Sequence, residues 1–167
     1  MVATKPRARR VTSEAPVRAK VVDVTAIEAA AEKAAVLRSV RDRLARIDEM
    51  RDALRLAQVG KAQRDIADLL HTTQPRVHRM LKAMEGRSAD DTSPEEIILR
   101  ATVDGTDRDA LVRRLASYRY TFRQRAPEPF EGAVDGSWDD VKHAFTTGLL
   151  SPEEYERVRA AIKPPRP

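Results

Sequence analysis

The chain has 167 residues, of which 41% are hydrophobic and only 4% aromatic, with 31 Lys and Arg against 26 Asp and Glu and no cysteine. This length predicts one or two small domains, and the lack of cysteine excludes a disulfide framework, a thiolate metal site and a cysteine nucleophile. The three histidines, His71, His78 and His143, are too scattered for a metal cluster, so we expect no metal and no cofactor.

The excess positive charge lies at the N-terminus. Residues 1–22 hold six basic groups and one acid, a net charge equal to the +5 of the whole chain. With few large apolar residues, such a segment cannot offset the entropy lost on folding, which predicts a disordered basic arm. The alternative is a solubilising tail without a ligand. The N-terminus has basic residues without the apolar core of a signal peptide, and no apolar run reaches the roughly 18 residues of a membrane span, so we expect a cytoplasmic protein that does not enter a membrane.

A long helix is predicted next. From Thr25 to Val59 there is neither Gly nor Pro, and Ala, Leu, Arg and Glu dominate, which indicates one long helix or two nearly continuous ones ending at Gly60. Residues spaced alternately three and four apart form a seam along this helix (Leu37, Val40, Leu44, Ile47, Arg51, Leu54). All of them are apolar except Arg51. This seam suits a short two-chain coiled coil. The alternative is that Ile47, Met50 and Leu54 pack on the next two helices of the same chain.

Residues 63–82 carry the most specific pattern in the sequence. Ala67 is small where two helices would cross, and apolar residues stand where the pair would pack on a preceding helix (Ile66, Leu70, Val77, Met80). The segment resembles the helix-turn-helix of phage-repressor and Cro-type regulators over its full twenty residues. Two positions depart from that family, because His71 stands where Gly is usual and Thr72 where an apolar residue is usual. Histidine tolerates a left-handed conformation better than most residues, so a slightly strained turn is predicted.

The resemblance implies that a helix over 74–83 enters the major groove of DNA. Its amino-terminal end, capped by Thr73, would favour phosphates, and Gln, Arg and Pro side chains can contact adenine, guanine and the thymine methyl. Residues 74–82 contain no acid. Phosphate contacts are expected from residues at the start of the first helix of the helix-turn-helix. Contacts that do not depend on the DNA sequence are expected from the basic arm. The candidate DNA-binding residues are Thr73, Gln74, Pro75, Arg76, His78, Arg79, Lys82, Arg64 and Lys61, with Arg7, Arg9 and Arg10 in the arm. The alternative is a helical hairpin that merely resembles this motif.

The remaining chain predicts a small helical domain. After a DNA-binding domain over 23–86 and a polar linker over 87–93, four short helices lie in 94–163, before a tail at 164–167. Each helix is predicted to begin at a hydroxyl N-cap (Ser93, Thr106, Ser137, Ser151). Residues 125–136, with Phe130, predict an ordered loop, and no strand pattern occurs, so the predicted fold is all-α.

Charge is polarised within this half. Residues 108–125 hold six Arg against Asp109, with aromatic residues between them, and residues 126–156 hold eight acids against Lys142. Either the two blocks face each other while Tyr118, Tyr120 and Phe122 form a core with Trp138 and Phe145, or a basic helix forms a second nucleic-acid surface. The acids at helix starts (Asp139, Asp140, Glu153, Glu154) are explained by helix dipoles. Because no nucleophile–base pair or phosphate-binding loop is found either, we expect no enzymatic activity.

The last part, Trp138–Ile162, is similar to short C-terminal helical hairpins in which a helix ends in Gly-Leu-Leu and a capped Ser-x-Glu-Glu-aromatic segment opens the next. Such hairpins interact with a copy of the same chain or with a partner protein.

These patterns favour a sequence-specific transcriptional regulator, a repressor in the first instance, that binds double-stranded DNA as a homodimer and is then associated with the nucleoid. The alternative is the antitoxin of a two-gene module, in which the helix-turn-helix autoregulates the operon and the acidic C-terminal half neutralises a partner protein.

Overall fold

The chain forms a helical fold in the computed structural model, which describes residues 24–125, 129 and 132–165. The helices are α1 (Val24–Gln58), α2 (Gln63–Leu69), α3 (Gln74–Ala83), α4 (Pro94–Asp104), α5 (Arg108–Ala116), α6 (Ser137–Thr146) and α7 (Pro152–Ile162). The predicted all-α fold is confirmed, with one small correction. Two-residue strands, β1 (Gln124–Arg125) and β2 (Ala133–Val134), pair antiparallel. Both are exposed, so they carry no alternation of buried and exposed residues that the sequence could show.

Helix α1 is continuous over 35 residues, so of the two alternatives the single long helix is correct. It ends as predicted, because Gly60 takes a left-handed φ of 84° and its amide donates to the Ala57 carbonyl at 3.0 Å. Its carboxyl-terminal part contacts α2 and α3, and α4 also packs along it. One helix therefore connects both halves of the fold.

The apolar seam of α1 is covered by its own chain. Val40 and Leu44 are buried in one cluster with Leu99 of α4, and Ile47 packs against that cluster. Met50 packs farther along, on the cluster formed by α2 and α3. The two-chain coiled coil predicted over this seam is therefore wrong, because α4 returns along α1 and occupies the position expected for a second chain.

Buried charge fixes α4 on α1. Glu96 is only 2% exposed, and its carboxylate accepts hydrogen bonds at 2.5 Å from Arg51 and at 2.7 Å from Arg100. Burial alone would raise the pKa of Glu96, but these hydrogen bonds outweigh it and hold the pKa below its ordinary value. Arg51 thus stands in the apolar seam because it neutralises a buried carboxylate.

Two of the four predicted helix caps are confirmed and two are wrong. The Ser93 and Ser151 hydroxyls each accept the amide of a glutamate three residues on, at 3.2 Å. Helix α5 is capped by Asp107 rather than Thr106, because the Thr106 amide donates to Ala101 and still belongs to the exit of α4. Helix α6 has Gly136, not Ser137, at its N-cap position.

The C-terminal core is built around Trp138, which is 3% exposed, with Tyr118, Tyr120 and Phe122 packed against it as predicted. Phe145 is not in this core; it is 36% exposed and stacks on Tyr155 at 4.6 Å between ring centroids.

The basic segment 108–125 is not one helix, because α5 ends at Ala116. The chain then runs without helical structure to β1, so the aromatic side chains can reach the core. Phe130 and four other residues of the predicted loop, 126–128 and 131, lie outside the described residues. Within the part of the chain that the structure covers, no helix is long and apolar enough to cross a membrane.

Candidate nucleic-acid interface

The turn between α2 and α3 depends on one residue with left-handed backbone. Helix α2 leads into His71, which has a left-handed φ of 50°. This is the strained turn predicted from a histidine at the position where Gly is usual. The next amide, that of Thr72, donates to the Ala67 carbonyl at 2.8 Å and closes the turn. A branched side chain would disfavour this conformation more than histidine does. The turn therefore forms without glycine, and α3 begins at the predicted residue.

The inner sides of α2 and α3 bury the predicted residues against α1. Ile66 and Val77 are fully buried, Ala67 is 5% exposed, and they share a cluster with Met80 and with Ala53 of α1. Small residues at positions 53 and 67 let the helix backbones approach closely. This packing fixes which side of α3 faces solvent.

The amino-terminal end of α3 is exposed. Thr73 is its N-cap residue, as predicted, but the hydroxyl accepts no hydrogen bond from the first turn. The Thr73 carbonyl instead accepts the amides of Arg76 and Val77 at 2.9 and 3.0 Å. Pro75 lies in the first turn, where a missing amide hydrogen costs little. The positive end of the helix dipole is thus accessible to an anion.

The outer side of α3 presents the predicted polar and basic side chains together. All six predicted residues from 74 to 82 are exposed (Gln74, Pro75, Arg76, His78, Arg79, Lys82). Four of them line one shallow depression with Gln63 of α2, namely Gln74, Pro75, His78 and Arg79. In the described structure neither Arg79 nor Lys82 forms an ion pair. These two cations are therefore available to an external anion.

Arg76, unlike Arg79 and Lys82, forms an ion pair within the described chain, with a residue of α1. Its Nη2 lies 2.5 Å from Oε2 of Glu49 on α1, and the side chains are 48% and 23% exposed. Arg76 does not line the depression that contains His78 and Arg79. Sequence reasoning missed Glu49, because no local pattern shows which residue of α1 meets α3.

The start of α2 supplies the two remaining predicted cations. Arg64 and Lys61 are both exposed and flank Gln63, the α2 residue of the depression. Neither forms an ion pair with any described residue. Neither residue lines the depression itself, and their exposure is what leaves them accessible to a phosphate. The predicted arm residues Arg7, Arg9 and Arg10 lie outside the described residues.

The C-terminal basic and acidic blocks meet in part. Arg108 pairs with Glu154 at 2.5 Å and Arg123 with Asp135 at 3.5 Å, as the first of the two alternatives predicted. Arg114 and Arg119 have no ion-pair partner among the residues described. Among the described residues, two of the six arginines of the basic block are therefore neutralised by the acidic block, and Arg113 pairs instead with Asp107 at 4.0 Å.

Comparison of the chain with models of protein families, with curated proteins and with solved structures gives no match. A role for α2 and α3 has to be argued from their geometry and their exposed side chains.

Proposed function

We propose that the chain is a sequence-specific DNA-binding transcriptional regulator in which α3 enters the major groove. The observation that carries this proposal is the outer side of α3, which combines exposed Gln74, His78, Arg79 and Lys82 with no acid in residues 74–82. Glutamine and arginine are the side chains that pair with adenine and guanine edges through two hydrogen bonds. The buried inner side holds these groups on a rigid helix, as base recognition requires.

The neighbouring groups support a division of roles. Arg64, Lys61 and the exposed amide end at Thr73 contact phosphates and set the register on the duplex, whereas Gln74, Pro75 and Arg79 contact bases. Arg7, Arg9 and Arg10 in the arm bind DNA independently of its sequence. Deleting residues 1–20 should therefore weaken binding to all sequences alike. It should also make affinity less dependent on salt, with the slope falling by about 0.9 for each phosphate that the arm neutralises.

The test is selection of bound sequences from random duplex DNA by the full-length chain. We expect an enriched sequence, and Arg79→Ala should lower affinity for it while relaxing one base preference. Arg114→Ala is the matched control, because Arg114 is an exposed, unpaired arginine on α5 in the described structure. Absence of any enriched sequence, with equal effects of the two substitutions, would contradict the proposal. Repression is the favoured mode and is tested by a reporter gene under the selected site.

The antitoxin hypothesis is favoured by a different observation. Phe145 and Tyr155 form a stacked aromatic pair that reaches the surface of the C-terminal half, with Phe145 36% exposed. Aromatic groups of this kind are common at the centres of protein interfaces. If the C-terminal half neutralises a partner, Phe145→Ala in the full chain should release the product of a neighbouring gene that co-purifies with the parent chain. If no such product binds the parent chain, the hypothesis is wrong.

A further inference from the structure

The amino-terminal part of α1 extends beyond the rest of the fold. We define the α1 overhang as residues 24–36. Every residue from 24 to 33 is exposed, and the first buried residue of the helix is Val40. A helix of about 13 residues is marginal in water without tertiary packing. Tertiary packing within the described chain therefore contributes little to the stability of residues 24–33, and a contact made there by another molecule would stabilise this end of the helix.

The overhang also carries apolar side chains that solvent does not favour. Two of the seven exposed large apolar residues of the described chain are Val24 and Ile27, exposed by 60% and 57%. Val24 and Ile27 belong to a stripe with the three-four spacing of a coiled-coil seam (Val24, Ile27, Ala31, Ala34, Arg38, Arg41). This stripe is offset by one residue, about 100° around the helix, from the seam that α4 covers. Both surfaces can therefore be occupied at once.

Charge along this stripe is polarised. The overhang has two acids, Glu28 and Glu32, and one base, whereas residues 37–46 have four arginines and one acid. Among the described residues, Glu28, Glu32, Arg38 and Arg41 form no ion pairs and are exposed. A continuous helix cannot bring its own acidic and basic parts together. A second helix running the opposite way, with the two stripes aligned, places Glu28 of each copy beside Arg38 of the other.

We propose that the stripe from Val24 to Arg41 is the dimerisation surface of this protein, and that its occupant is the same stripe of a second copy, packed antiparallel. In the register that uses the whole stripe, Ala31 faces the partner's Ala34 and Ile27 faces the partner's Arg38. Small alanines at the centre let the two helices approach closely, and the arginine stems cover Ile27 while their charged ends reach Glu28. A parallel pair is disfavoured, because it would stack Arg38 and Arg41 on their own copies.

The rest of the fold is compatible with this arrangement. The shared segment from residue 24 to residue 41 is about 26 Å long, and the packed part of each copy begins at Val40. The two packed bodies therefore lie at opposite ends of the paired segment. The contact is isologous and closes on itself, which limits the assembly to two chains. This inference does not depend on DNA binding.

The first test is the mass of the full-length chain in solution, measured by sedimentation or light scattering. We expect a dimer that Ile27→Asp converts to a monomer in which any loss of helicity is confined to the overhang, because Ile27 is exposed in the described fold of one chain. Val134→Asp is the control, since Val134 is exposed to the same extent, 56%, on β2. A monomeric parent chain, or a dimer unaffected by Ile27→Asp, would overturn the proposal.

The second test fixes the orientation and exploits the absence of cysteine from the chain. Val24→Cys and Arg41→Cys variants are mixed and oxidised mildly. Antiparallel pairing predicts a disulfide between the two variants in the mixture and none in either variant alone, where like positions lie about 25 Å apart. Cross-linking of Val24→Cys with itself would indicate a parallel pair, and a dimer without the mixed cross-link would indicate another surface. Either result contradicts the proposal.

Discussion

Arg76 of α3 and Glu49 of α1 form an ion pair of 2.5 Å across the junction of the two helices. Of the Arg and Lys residues of α3, Arg76 is therefore paired within the chain. Arg79 and Lys82 form no ion pair within the described chain. If α3 binds DNA as proposed, the Glu49 carboxylate repels the phosphates and competes with them for Arg76. The sequence alone does not distinguish Arg76 from Arg79, but the ion pair predicts that the two contribute differently to DNA affinity.

Arg79→Ala should weaken specific DNA binding more than Arg76→Ala does. Arg79 is exposed and unpaired in the described structure, so the substitution removes its interaction with DNA outright, at about 1–3 kcal/mol. Replacing Arg76 also removes the need to break its pair with Glu49, which offsets part of the cost. Titration of the selected site and of random duplex DNA with each variant measures both effects. Equal reductions in affinity for the two variants would show that Glu49 does not restrain Arg76.

Glu49→Gln should strengthen binding to DNA. An exposed ion pair contributes roughly 0.2–1 kcal/mol, so removing the competitor should raise affinity by about 1.4- to five-fold. The double variant Glu49→Gln with Arg76→Ala separates this effect from a general loss of negative charge, because most of the gain should vanish without Arg76. Asp42→Asn is the matched control, since Asp42 is an exposed acid of α1 without an ion pair among described residues. An undiminished gain in the double variant would assign the effect to net charge alone.

The sequence predicted α3 and its exposed side because the relevant signals are local. A cap position, a Pro in the first turn and apolar residues at helical spacing lie within ten residues of one another. The features it missed depend on residues far apart in the chain. The Arg76–Glu49 pair joins positions 27 apart, and α4 reaches the seam of α1 from about 50 residues away. The wrong N-cap at Thr106 has a similar cause, since its amide is already used by the preceding helix.

His71→Gly should stabilise the fold. His71 has a φ of 50°, a conformation that costs a side chain of ordinary shape about 1 kcal/mol and costs glycine nothing. Part of that gain is offset by the larger entropy of glycine in the unfolded chain, so the free energy of unfolding should rise by less than about 1 kcal/mol. His78→Gly is the control with the same chemical change inside α3, where it should lower the free energy of unfolding by about 1 kcal/mol. Urea denaturation measures both; a destabilising His71→Gly would contradict the role given to the turn.

Glu154→Gln should lower stability near neutral pH but not in acid. The hydrogen bond from Arg108 holds the pKa of Glu154 below its ordinary value, with further bonds from the Ser151 amide and hydroxyl. A carboxyl with a lowered folded pKa contributes stability above its unfolded pKa and loses it as the pH falls through the folded value. At pH 7 the substitution should therefore cost about 1–2 kcal/mol, less than a fully buried pair because Arg108 is 43% exposed.

The difference between Glu154→Gln and the parent chain should begin to shrink as the pH falls below about 4.3, the ordinary pKa of a glutamate in an unfolded chain, and should vanish below the lowered folded pKa, where the parent carboxyl is itself protonated. Glu156→Gln on the same helix is the control, because Glu156 is exposed and pairs only with Arg159 of α7 among the described residues, at 3.1 Å. Urea denaturation at pH 7 and pH 3 gives the comparison. A destabilisation of the same size at both pH values would mean that Glu154 stabilises the start of α7 through packing, since only the charged form of the carboxyl bonds Arg108 in the manner described.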